Sequence, residues 1–110
     1  MTDGAPLGTF EEQVMLAVLR IAEEAYGMNV RRELESVTGR EVAIGAVYAT
    51  LDRLEAKGLV ASSRTGAGAT SRRHFAVTGA GARSLTESRT MRERLWEGVD
   101  LRRLLAVGEG

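Results

Sequence analysis

Three helical periodicities in a row, two short β-type runs across a glycine-rich turn, and a long helical tail predict a mainly α fold. The same pattern gives it one small two-stranded β element. With 110 residues the chain forms one domain by length, large enough to bury a core with a modest margin of stability.

The first helix is expected from Thr9 to Ala25. Thr9 serves as its N-cap, Glu11 and Glu12 occupy the first turn, and Glu12 completes a capping box. Val14, Met15, Val18, Leu19 and Ala22 recur at helical spacing and form the buried face. A second helix runs from Tyr26 to Val37 with Val30, Leu34 and Val37 inward, and Gly39 suits the left-handed position that closes it. The third spans Ala43 to Lys57, with Val47, Leu51 and Leu54 as its apolar stripe and Gly58 as its stop. A tight connection from Thr38 to Val42 makes the second and third helices a helix-turn-helix pair.

Leu59 to Arg64 and Arg72 to Val77 have strand character around the small-residue loop Thr65 to Ser71. A hairpin placed directly after the third helix is a wing. Thr78 then caps a last helix that continues to Val99, with Leu101, Leu104 and Leu105 as an extension. The chain divides into a winged helix-turn-helix unit at 7–77 and a helical arm at 78–107. Flexible termini are expected at 1–6 and 108–110.

Composition narrows the function classes. The chain has no cysteine and one histidine, which leaves no disulfide, no thiolate metal site and no paired ligands for a metal or cofactor. No Ser-His-Asp set or paired carboxylates point to an enzyme. The longest apolar stretch, near Val14 to Leu19, stops at Arg20, too short for a membrane span. Asp3 and the absence of a basic start do not read as a signal peptide, so a cytoplasmic location is expected. Net charge is zero, yet it is unevenly placed. Residues 1–25 hold one base against five acids, and residues 26–75 hold eight bases against five acids.

Fragments of the sequence resemble the PadR family of transcriptional regulators. They are "AYG" at Ala25 to Gly27, "GAVYATLDRLEAKGLV" at Gly45 to Val60, and "RRHFAVTGAG" at Arg72 to Gly81. The family's spacing is matched by Gly45, Tyr48, Leu51, Arg53, Leu54, Glu55, Gly58, Leu59, Val60, Thr78 and Gly81. The resemblance covers about residues 7 to 99. It implies a DNA-binding repressor that dimerises through its last helix, often with the first. Two departures stand out: Ala43 replaces the serine that commonly caps the recognition helix, and the wing loop is short.

On a helical wheel centred on Val47, the far side of the third helix carries Gly45, Ala49, Asp52, Arg53 and Ala56, with Tyr48 on the flank. Its small residues allow close entry into the major groove of double-stranded DNA. The expected DNA-binding set is Gly45, Tyr48, Ala49, Arg53, Arg64, Arg72, Arg73 and His74. Arg53 is a candidate for phosphate or guanine, Tyr48 by resemblance for phosphate, and the wing arginines for phosphate. His74 alone also reads as a plain surface strand residue. Asp52 reads as a solvated helix residue.

Leu85, Met91, Leu95, Trp96 and Val99 form an apolar seam, expected to pair two copies as a homodimer that reads a pseudo-palindromic operator. Some relatives hold flat aromatic molecules between the dimer helices. The resemblance therefore adds an aromatic small-molecule effector at Trp96, against the simpler reading of Trp96 as an interface anchor. The competing function is a winged module used for protein contacts without DNA.

Overall fold

Helix α1, Thr9–Ile21, starts at the expected residue but with a different cap, in a computed structural model that describes residues 7–109. Gly8, not Thr9, is the N-cap, and the carboxylate that reaches back is that of Glu11, not Glu12. Glu11 Oε1 accepts from the Gly8 N–H at 3.0 Å, the half of a capping box that a glycine cap permits. Glu12 is drawn elsewhere, to Ser88 and Arg92 of the last long helix. Val14, Met15, Ala17 and Val18 are buried, but Leu19 is 50% exposed and Ala22 is exposed.

The helix stops short of the expected Ala25 because the wing claims the next residues. The Ala25 carbonyl accepts from the Phe75 N–H at 2.9 Å, and His74 Nε2 lies 3.1 Å from the Ala22 carbonyl oxygen. To offer these carbonyls, Ala22 takes φ +48° and a 3-10 turn follows at Ala22–Glu24.

Helix α2 covers Gly27–Thr38 with Tyr26 as N-cap, and Gly39 at φ +71° ends it in the left-handed conformation. Val30 and Leu34 face the core, whereas Val37, expected inward, is 58% exposed on the last turn. Helix α3 covers Ile44–Ala56, and Ala43 gives no side-chain cap. The turn is held from α2 instead. Arg31 Nε donates to the Val42 carbonyl at 2.9 Å, and the Val42 N–H donates to Glu35 Oε2 at 2.9 Å. Both polar groups of one backbone residue are thereby satisfied without the serine cap.

Strands β1, Val60–Thr65, and β2, Arg72–Val77, pair antiparallel from Val60↔Val77 to Thr65↔Arg72. Phe75 is fully buried at the hub of a core made by Val14, Met15, Val18, Val30, Leu34, Val47, Leu51, Leu54 and Val60. Each such side chain contributes about 1.5–3 kcal/mol when removed from water.

Helix α4, Gly79–Trp96, starts at Thr78 as expected: Thr78 Oγ1 accepts from the Gly81 N–H at 3.1 Å and donates to the Gly58 carbonyl at 2.7 Å. A Cβ at Gly81 would overlap the Leu59 carbonyl and come within 2.8 Å of Val77 Cγ1, so only glycine lets α4 approach the wing base this closely. The helix does not run on to Val99. Glu97 leaves the helical conformation in a turn with Gly98, which takes φ +75°, and this separates α4 from a short helix α5 at Arg102–Glu109. Gly108 and Glu109, expected in a loose tail, belong to α5, while the expectation for 1–6 and for Gly110 lies outside the described residues. Among the described residues no helix is long and apolar enough to cross a membrane.

Gly81→Ala is expected to cost about 2 kcal/mol in urea unfolding, because the clash is with backbone that cannot rotate away. A second expectation concerns Glu11, whose carboxyl is held below its ordinary value by the hydrogen bond from Lys57 Nζ at 2.8 Å. A carboxyl depressed in the folded state stabilises above its unfolded pKa and ceases to do so as pH falls through the folded value. Glu11→Gln should therefore lose about 1 kcal/mol near neutrality, discounted for the half-exposed lysine, and the difference should close on acidification below pH about 4.

Candidate nucleic-acid interface

Alternation along β2 sorts Arg72, Arg73, His74 and Phe75 onto two faces. Arg73 and Phe75 point toward α3; Arg72 and His74 point toward the start of α2. The consequences for the two arginines are opposite. Arg73 Nη1 donates to Asp52 Oδ1 at 3.0 Å and its Nη2 to Glu55 Oε1 at 2.8 Å, while the guanidinium lies 4.8 Å from the Phe75 ring centroid. Glu55 also accepts from the Ser62 hydroxyl and its N–H. Arg73 thus fastens the wing to α3, and both acids of α3 nearest the wing are neutralised within the domain.

Arg72 turns outward. Its guanidinium sits 3.9 Å from the centroid of Tyr26, a cation–π stack that leaves the N–H edge toward solvent. His74 packs edge-on against Tyr26 and lies close to the Ala22 carbonyl, which places it, half-buried, at the joint between α1 and α2. Thr65 Oγ1 donates to the Tyr26 hydroxyl at 3.3 Å, so both strands of the wing are fixed to one aromatic ring.

Between the start of α2, Tyr48 and the wing lies an open cleft of about 500 Å³, lined by Tyr26, Met28, Asn29, Arg32, Tyr48, Arg64, Ser71, Arg72 and Arg73. Among the described residues, Arg32, Arg64 and Arg72 have no carboxylate partner. Arg32 Nη1 donates only to Asn29 Oδ1, at 3.1 Å. Three cations beside two phenols, open to solvent, give the cleft the charge and donors that an anion would need.

The sequence named Tyr48, Arg64 and Arg72 for this surface and missed Asn29 and Arg32. The available signal was their place on the first turns of α2, directly after Tyr26 and Gly27. Gly27 explains the geometry: a Cβ there would overlap the ring and hydroxyl of Tyr48, so Tyr48 lies across the start of α2. Gly45 and Ala49 are exposed on the outer side of α3 as the wheel predicted. Arg53 is exposed as well, but its Nη2 donates back to Thr50 Oγ1 at 3.1 Å, on the side near Glu11 and away from the cleft.

On the arm, Leu85 is buried at 9% exposure in the core of its own domain. Met91, Leu95, Trp96 and Val99 remain exposed, Leu95 by 72% and Trp96 by 58%. Leu16 and Leu19 of α1 are exposed too, and Glu12 of α1 bonds Ser88 and Arg92 of α4, which ties the two helices together.

A helix-turn-helix carrying a pinned wing and a projecting arm helix defines the winged helix-turn-helix class. The model of the transcriptional regulator PadR-like family matches residues 15–87, and the chain belongs to that family, one of transcriptional regulators rather than of enzymes. It is 40% identical over 72 residues to the transcriptional regulator Rv3488 of Mycobacterium tuberculosis, a match covering 66% of each protein and so just under two thirds of that relative. The fold is similar to a PadR-like transcription factor from Bacteroides fragilis, with a TM-score of 0.72, 25% identity, and coverage of 82% of this chain and 85% of that one. A PadR family regulator from Eggerthella lenta gives a TM-score of 0.65 at 29% identity, covering 84% and 80%.

If Arg73 is a clamp, a double-mutant cycle between Arg73→Ala and Glu55→Ala in urea unfolding should return a coupling of about 1 kcal/mol. Additive losses would remove the clamp.

Proposed function

We propose that this PadR-family regulator is a homodimeric repressor that binds double-stranded DNA in the cytoplasm at a pseudo-palindromic operator. The observation that carries the reading is the cleft in which Arg32, Arg64 and Arg72 stand without acids beside Tyr26 and Tyr48. On this reading α3 enters the major groove with its small residues leading. The cleft then takes the adjoining phosphates, which supply affinity without discriminating sequence. The start of α3 has no side-chain cap, which leaves backbone N–H groups that a phosphate could accept from.

Dimerisation is supported by the apolar surface formed by Met91, Leu95, Trp96 and Val99 beside Leu16 and Leu19, which water covers unfavourably. A two-fold pair would set two recognition helices about 34 Å apart. Trp96, 58% exposed on this surface, is proposed to serve first as an anchor between subunits and only secondarily as a platform for an aromatic small-molecule effector.

Arg32→Ala and Arg64→Ala are each expected to weaken DNA binding by a similar factor on every duplex. Each should also reduce the slope of log affinity against log salt by about 0.9, the value for one phosphate no longer neutralised. Fluorescence anisotropy across a salt series measures both. Unchanged slopes would instead favour a winged module that binds protein.

A further inference from the structure

The outward face of α3 raises a specificity problem. Asp52 is engaged by Arg73, Arg53 by Thr50, and Tyr48 lies over Gly27 in the cleft. What remains exposed on the leading half of the helix is Gly45, Ala46 and Ala49, none of which has a side-chain donor or acceptor. A Cβ at Gly45 would meet nothing within 4 Å, so none of the described residues covers the outer side of the helix at that position. Base edges in the major groove are hydrogen-bonding atoms with one apolar exception, the C5-methyl group of thymine.

We propose that α3 reads its operator by apolar contact, with the methyl groups of Ala46 and Ala49 set against thymine C5-methyl groups. The proposal rests on the DNA-binding reading above and assigns its base specificity. The two alanines are three residues apart on one helical face, roughly 5–6 Å between Cβ atoms. That separation spans one to two base steps of about 3.4 Å, so each half-site would place its thymines at neighbouring or alternate steps. Asp52 is a poorer candidate for a cytosine amino group, because its Oδ1 is held by Arg73 at 3.0 Å and its charge is repelled by the phosphates.

The test uses the duplex that the full chain enriches from a random library, with each thymine singly replaced by deoxyuridine. That change leaves base pairing intact and deletes only the methyl group. Affinity should fall about fourfold at one or two positions in each half-site, the value of one buried methyl, and stay constant elsewhere. Ala49→Gly should then bind the thymine and deoxyuridine probes alike at one of those positions. Equal affinity for every deoxyuridine probe overturns the proposal with the unmodified protein alone, and so does thymine discrimination that persists in an Ala46→Gly, Ala49→Gly double variant. If no duplex is enriched at all, the DNA-binding reading fails and takes this proposal with it, a result distinct from uniform binding to the substituted probes.

Discussion

The hydrogen bond from the Phe75 N–H to the Ala25 carbonyl, 2.9 Å long, fixes where the second wing strand lies against the connection between α1 and α2. Much else depends on that register. It puts the Phe75 ring at the hub of the core and places Arg73 over α3. It also leaves Arg72 and His74 both packed on Tyr26. A slip of one residue would interchange the two faces of the strand, burying Arg72 and ejecting Phe75. Ala22 is bent to φ +48° to hold the arrangement, a backbone cost that the wing contacts offset.

From this register follows a division of the basic residues into two populations. Arg73, Arg31, Lys57 and Arg92 are engaged inside the domain by Glu55, Val42, Glu11 and Glu12, each tying its own element to another part of the fold. Arg32, Arg64 and Arg72 are left facing outward around Tyr26 and Tyr48. A chain of zero net charge can therefore still present a cationic groove, because the two acids of α3 beside it, Asp52 and Glu55, are both held by Arg73.

The parts of the fold legible in the sequence are those set by local chemistry. Val47, Leu51 and Leu54 on α3, the Gly39 and Gly58 stops, and the Thr78 cap all stand where spacing puts them. What was not legible depends on partners distant along the chain. Glu12 fits a local cap by spacing, but Ser88 and Arg92 attract it. Leu19 and Val37 fit the apolar spacing but lie at helix ends, where none of the described residues buries them. Leu85 falls in line with an outer seam yet lies one turn inside the core. Arg72, Arg73 and His74 look like one patch when charge is counted without strand parity, although Phe75 two residues beyond Arg73 already marks the inward face.

The central claim is that adjacent arginines on one strand have separate tasks. Arg72→Ala and Arg73→Ala, each followed by urea unfolding and by duplex affinity normalised to folded protein, test it directly. The account predicts that the Arg72 variant keeps nearly all its stability and loses affinity and salt slope. The Arg73 variant should lose about 1 kcal/mol of stability while its salt slope is kept. Equal losses of salt slope in both variants, with no difference in stability, would contradict it.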